Sequence, residues 1–222
     1  MNGSTSKSIV DFQHAFNFPF QLLLNHLQQV SGEKVLGNLL WLGAAPEIGV
    51  TTLITEFAKY LTSRLNQRVL LVDANYSSPR LHRIFGVPLE PGFAEVLSGE
   101  CGPEVIQATS YPNLFLIPAG DKEHFPRRLG GDGGRVRETI SNLRKENELM
   151  LLDTAPVVSS AESFYLASRV DGVIVVARSE KTRLQVLQAT TEQLEEAGAS
   201  IVGAILNRRK YHIPGWIYRR LS

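Results

Sequence analysis

The chain has one cysteine, Cys101, in 222 residues. A lone thiol excludes an intrachain disulfide framework and fits a reducing compartment; a small apolar or surface role is its plain reading. Charge of one sign is also lacking. Lys and Arg total 23 against 22 Asp and Glu, leaving +1 at pH 7, which disfavours nucleic-acid binding driven by bulk charge. No apolar run approaches the length of a membrane span. No charged-then-apolar pattern opens the chain, so a secretory signal is not expected. The histidines, His14, His26, His82, His124 and His212, are scattered without metal-ligand spacing. There is no internal repeat, no long linker and no composition shift. With 43% hydrophobic residues, the length suits one packed domain.

The most consequential absence is one lysine. Residues Gly43-Ala44-Ala45-Pro46-Glu47-Ile48-Gly49-Val50-Thr51 have the spacing of a phosphate-binding P-loop, G-x-x-x-x-G-K-[ST], with valine in the lysine position. The loop sits between an apolar run, Leu39 to Leu42, and a helical pattern from Thr51 to Leu65, the context that makes the match credible. In such a loop Gly43, Gly49 and the amides leading to Thr51 and Thr52 cradle phosphates at a helix N-terminus. The lysine reaches the β- and γ-phosphates. Val50 has no charge to offer, and losing one such donor costs about 3–4 kcal/mol, or several hundredfold in rate. Glu47 places a negative charge near the phosphates and Ile48 is stiff at χ1. A nearby arginine (Arg80, Arg83 or Arg178) is a candidate substitute.

What is present is a rhythm of short apolar runs: Leu39–Leu42, Val69–Val72, Leu114–Ile117, Leu149–Leu152, Val173–Ala177 and Ile201–Leu206. Continuous β-rich runs of this kind mark strands buried on both faces. Helical patterns fall between several of them, over 51–65, 134–147, 161–169 and 182–197, and another over Phe20–Val30. This alternation predicts an α/β fold with a doubly wound, mainly parallel sheet in a three-layer P-loop domain. The expected divisions are a lead-in and helix over 1–36, the P-loop domain over 37–207 and a basic, aromatic tail over 208–222. The glycine-rich stretch 130–134 is the candidate mobile loop.

Two carboxylates end predicted strands: Asp73 after Val69–Val72 and Asp153 after Leu149–Leu152. A carboxylate there faces the ligand crevice of a parallel sheet. It can hold Mg²⁺ or its waters, or orient a nucleophile; it can also cap the next turn of the chain. Asp73 and Asp153 are the candidate catalytic pair. Together with the Thr51 hydroxyl they are the candidate Mg²⁺ ligands.

These stretches together resemble the bacterial tyrosine kinases (BY-kinases) of capsule and exopolysaccharide synthesis, the CpsD/CapB-like branch of the MinD/ParA P-loop proteins. Val69-Leu70-Leu71-Val72-Asp73-Ala74-Asn75 and the run from Arg80 through Gly86 to Gly99 are similar to the family's second motif. Asn113 to Gly120 is similar to its NL-x-[VL]-[LI]-P-[AS]-G strand, and Leu152-Asp153-Thr154-Ala155-Pro156 to its Walker B stretch. Asp171-Gly172-Val173 and Leu206-Asn207-Arg208 are in register. The resemblance implies ATP or ADP with Mg²⁺ as ligands, and Asn207 as a contact to the base.

The departures cluster on the chemistry. Val50 replaces the lysine. Asn75 stands for the second aspartate of an Asp-x-Asp pair, and Ser77 and Ser78 for basic residues. The family's E-x-x-R-x-x-R assembly motif has no counterpart near 17–23, and its Pro-Asn-Pro segment is absent after Gly120. Tyr211 and Tyr218 alone stand where a tyrosine cluster is usual. The expected function is therefore that of a degenerate kinase-like protein. It would be a regulatory or scaffolding partner of a membrane polysaccharide co-polymerase (a chain-length regulator) or of an active BY-kinase. Nucleotide and Mg²⁺ would bind weakly or not at all. Cytoplasmic placement is expected, at the inner face of the membrane through that partner, with self-association as a further possibility and no nucleic acid. One alternative is an active ATP-dependent tyrosine autokinase. The other is a MinD/ParA-like positioning ATPase, which needs a signature lysine where Ala44 stands. The tail's basic residues with Trp216, Ile217 and Tyr218 suit an anionic membrane face or a partner groove, or fold their aromatics back on the domain.

Overall fold

The computed structural model describes residues 18–30, 32, 36–125 and 133–208. The lead-in over 1–17, most of the glycine-rich stretch and the tail from 209 onward lie outside the described residues. Gly133 and Gly134 of that stretch open a helix instead.

Seven strands form one sheet: β1 (Asn38–Gly43), β2 (Val69–Ala74), β3 (Gln107–Ala108), β4 (Leu114–Ile117), β5 (Leu149–Thr154), β6 (Gly172–Arg178) and β7 (Ile201–Asn207). The spatial order is β3-β4-β2-β5-β1-β6-β7. Every pairing is parallel except the short β3–β4 contact. The fold is thus a doubly wound, mainly parallel α/β sheet. Every residue of β1 and β2 is buried, and nearly every residue of β5 and β6, as sheets covered on both faces require.

Alternate residues of each strand feed two apolar layers. Leu39, Trp41, Leu71, Leu151, Ile174 and Val176 point to one face. There they meet Leu53, Ile54, Phe57, Ala58 and Leu61 of helix α2 (Val50–Leu65) and Phe20 and Leu27 of helix α1 (residues 18–30). The spacing of the α2 residues makes one helix face. Phe57 is fully buried, and burial of such a side chain stabilises by about 1.5–3 kcal/mol. Leu40, Leu42, Leu70, Val72, Leu152, Val173 and Val175 point to the other face. They meet helices α4 (Phe93–Ser98), α5 (Gly133–Leu143), α6 (Ala161–Ala167) and α7 (Leu184–Glu196).

The six expected strands are all present, each extended by one or two residues at most. Beyond three single 3-10 turns (Pro103–Val105, Lys122–His124 and Val157–Ser159), the short elements not expected are β3, helix α3 (Leu81–Phe85) and α4. Helix α5 stops at Leu143 rather than running to 147, because Asn147, Glu148 and the turn before them are tied to Arg68 at the start of β2. Asp171 fixes the opening of β1 against β6 by accepting from the backbone amides of Gly37 and Asn38 at 2.9 and 2.8 Å.

Candidate functional site: a phosphate-type cleft with an apolar residue in the lysine position

The C-terminal ends of β1, β2 and β5 open on one cleft of about 290 Å³. This is where the winding of the sheet reverses direction and where α/β sheets bind ligands. Residues 45–52 form one wall; Asn75, Ser77, Ser78 and Arg80 form the wall opposite; Thr154, Ala155, Pro156 and Ser159 close it.

The loop from Gly43 to Thr51 is shaped by close approaches. A Cβ on Gly43 would lie 2.8 Å from both the Ala45 carbonyl oxygen and Ile48 Cδ1, so no larger residue fits there. Gly49 caps α2 with φ +88, a left-handed conformation that glycine adopts freely. Glu47 takes φ +59 without that freedom. Ala44 is buried, and its amide donates to Val176 O at 2.9 Å. Ile48 is buried beneath the loop, and its carbonyl accepts from Asn207 Nδ2 at 2.8 Å. Asn207, expected at the base, thus ties the end of β7 to the loop, and its Oδ1 accepts from Arg208 N.

Val50 is the first residue of α2 and is 9% exposed. It belongs to the apolar cluster of Ile48, Leu53, Ile54 and Val176, with an edge on the cleft. The lysine position has been absorbed into the core. Thr51 and Thr52 line the cleft directly behind it.

Asp73 and Asp153 stand opposite each other in adjacent strands. Both are buried. Asp73 Oδ1 accepts from Asn75 N at 3.1 Å, and Oδ2 from Arg80 N and Leu81 N at 2.9 and 3.0 Å. It therefore holds the turn and the start of α3. Burial raises its pKa, opposed by those three amides and by His82. Asp153 Oδ1 has no hydrogen-bond partner among the described residues. Burial pushes the Asp153 carboxyl well above its ordinary range and the charge of Asp73 adds to this, while Thr51 and Arg80 oppose it. Asp153 has no backbone amide donor among the described residues, so burial raises its pKa further than that of Asp73. Asn75 closes its own turn by accepting from Ser78 N at 3.2 Å.

The orphaned oxygen of Asp153, beside the Thr51 hydroxyl, fits a divalent cation, which prefers hard oxygen ligands. The Asp73 oxygens are already engaged by backbone amides. Of the three arginines considered, Arg80 lines the cleft, whereas Arg83 and Arg178 do not. Ser159 lines the cleft without having been singled out in the sequence, although its position six residues past a strand-end carboxylate was a usable signal.

No family model matches the chain. It is 27% identical over 202 residues to the tyrosine-protein kinase ptk of Acinetobacter johnsonii, covering 90% of this chain and 26% of that one. It is 28% identical over 172 residues to the tyrosine-protein kinase etk of Escherichia coli K12, covering 77% of this chain and 23% of that one. The chain spans about a quarter of the length of these curated relatives. The solved kinase domain of the E. coli enzyme superposes with a TM-score of 0.76 at 25% identity, over 88% of this chain and 77% of that one. MinD of Pyrococcus horikoshii, solved with Mg-ADP, shares the fold with a TM-score of 0.64 at 22% identity, over 84% of this chain and 77% of that one. On these likenesses the chain belongs to the bacterial tyrosine kinase family, built on the MinD/ParA-type P-loop fold.

Proposed function

We propose that this chain is a kinase-like P-loop domain of exopolysaccharide or capsule synthesis that acts as a regulatory or scaffolding partner, with weak or no ATP turnover. One observation carries the reading: the residue that should reach the phosphates, Val50, is an aliphatic side chain folded into the core under α2. The backbone cradle survives, but the charge that makes a cradle catalytic is gone. The partner is a membrane polysaccharide co-polymerase or an active BY-kinase at the inner face of the membrane.

Bound Mg²⁺ would supply charge to neutralise phosphate oxygens. Thr51 and Asp153 would hold it, and Asp153 would have to give up its proton first. Asp73 positions the turn that carries Asn75 and Arg80. An active autokinase is the second reading, favoured by the retained Thr51 and by the unpartnered oxygen of Asp153.

Radiolabelled ATP, supplied to the purified chain with and without its membrane partner, separates the two. The scaffold reading expects no tyrosine phosphate above background. It expects the Val50→Lys variant to gain turnover, by up to several hundredfold where charge alone was missing. Tyrosine phosphorylation by the natural chain at rates ordinary for an active relative assayed alongside would defeat the scaffold reading.

A further inference from the structure

Val50 leaves the loop without a cation of its own; the Arg208 guanidinium lies against Gly49 from the end of β7 but does not line the cleft, and the wall opposite supplies one that does. Among the residues lining the cleft, two carry full charges: Glu47 on the loop and Arg80 facing it. We propose that Arg80 is the phosphate-binding cation of this cleft, acting from the wall opposite the absent lysine, so that the cleft takes ligands that end in a phosphate, such as a nucleoside triphosphate. This rests on the nucleotide-type site of the proposed function and names the residue that would give it affinity.

The geometry fixes Arg80 well. Its amide donates to Asp73 Oδ2 at 2.9 Å, and Asp73 is a buried residue of β2. Its carbonyl accepts from Arg83 N and Ile84 N, both at 3.1 Å. The backbone is therefore held at both its donor and its acceptor, while the side chain is exposed toward the cleft. The anchoring acid, Asp73, pairs with Asp153 of β5, one residue past the end of the β2 register with β4, so the Arg80 backbone is tied to the central sheet.

The chemistry agrees. A guanidinium is always charged and presents a planar fork of donors that matches phosphate oxygens two at a time. The remaining polar lining is neutral, made of threonine and serine hydroxyls and the Asn75 carboxamide. Those groups orient an anion but add no net charge. Glu47 places the opposing charge in the same lining. With Arg80 and Glu47 together the lining is neutral overall, so the affinity expected for a phosphate is weak.

The test is a calorimetric titration of the whole chain with Mg-ATP, Mg-ADP and inorganic pyrophosphate, on the natural protein and on four variants. Arg80→Gln is expected to weaken ATP binding by about ten- to a hundredfold, the loss of a charged hydrogen-bonding group. Arg80→Lys is expected to restore part of it, Arg83→Gln to leave it unchanged and Glu47→Gln to tighten it. Far-ultraviolet dichroism and the urea midpoint report folding of each variant, and the exposed Arg80 side chain leaves both unmoved. Two results overturn the proposal: Arg80→Gln binding ATP as the natural chain does, or the natural chain binding none of the three probes at millimolar concentration. Neither result touches the scaffold reading, which stands or falls on tyrosine phosphorylation.

Discussion

Asp73 and Asp153 are the same residue type at the same height in adjacent parallel strands, and the fold uses them in opposite ways. Asp73 is surrounded by the turn it holds: three backbone N–H groups converge on its two oxygens. Asp153 is buried too, yet Oδ1 has no partner among the described residues. The difference arises from the backbone just beyond each strand. After β2 the chain curls back immediately through Asn75 and Ser78, bringing its amides over the carboxylate. After β5 it runs through Ala155 and Pro156, and proline has no amide to give. One acid has become part of the scaffold. The other has one oxygen unpartnered among the described residues and the Thr51 hydroxyl against the carboxyl, and burial with so little hydrogen bonding raises its pKa.

The sharpest way to break the comparison is Asp73→Ala. It strips the acceptor from three backbone donors at a buried position and loosens the turn that carries Arg80. The expected loss is about 3–5 kcal/mol of unfolding free energy, among the larger single-residue effects. Urea unfolding followed by Trp fluorescence measures it. Asp73→Asn keeps one acceptor oxygen and should cost clearly less. A loss under about 1 kcal/mol for the alanine variant would mean that the amides find other partners and that Asp73 is free for the ligand.

Asp153→Asn tests the other half, and its sign depends on pH. The folded pKa of Asp153 lies above its ordinary value of 3.8. Below 3.8 both folded and unfolded chains carry the proton, and the associated stability is fully present. As pH rises toward the folded pKa the unfolded chain ionises while the native site does not, so stability falls by at most about 1.4 kcal/mol per pH unit. Asparagine does not titrate. The variant should therefore match the natural chain near pH 4 and exceed its Tm increasingly toward neutral pH. Thermal melts from pH 4 to 8 read this directly, and parallel curves would show that Asp153 is ionised in the fold. Adding Mg²⁺ should raise the Tm of the natural chain more than that of the variant.

The contrast also marks what the sequence made legible. The six long strands, helices α1, α2, α6 and α7 and the cleft at the strand ends were readable because apolar periodicity and P-loop spacing are local signals. So was the candidate pair of strand-end acids. Their division of labour was not readable, because it depends on whether the next stretch of backbone folds over the carboxylate. Helices α3 and α4, of five and six residues, are too short for a periodic signal and are held by tertiary contacts. Gly92 N and Asp121 N, for example, both donate to the buried Glu95 carboxylate at 2.8 and 2.9 Å. Two-residue β3 exists by pairing with β4. Val50 was legible as a loss of charge, but its place in the apolar cluster with Ile48 and Leu53 required the fold.

The smallest expected effect concerns the loop wall rather than the acids. Asn207 Nδ2 donates to the Ile48 carbonyl across 159 residues of chain, closing β7 onto the loop that the acids face. Asn207→Ala removes one neutral hydrogen bond at a half-buried site, worth about 1 kcal/mol. It leaves the Asp73 and Asp153 strands untouched, so the pH dependence of the melt should keep its shape while the whole curve shifts down. Hydrogen exchange should speed up at the amides of Glu47, Ile48 and Gly49 but not at those of Asn75, Arg80 and Leu81. Asn207→Asp separates anchoring from size: the side chain keeps its volume but presents an acceptor to the Ile48 carbonyl, and should lose more than alanine does. If instead both variants leave loop exchange unchanged and weaken only nucleotide binding, Asn207 serves the base, as the family resemblance implies. The loop would then hold its shape through Ile48, Gly43 and Gly49 alone.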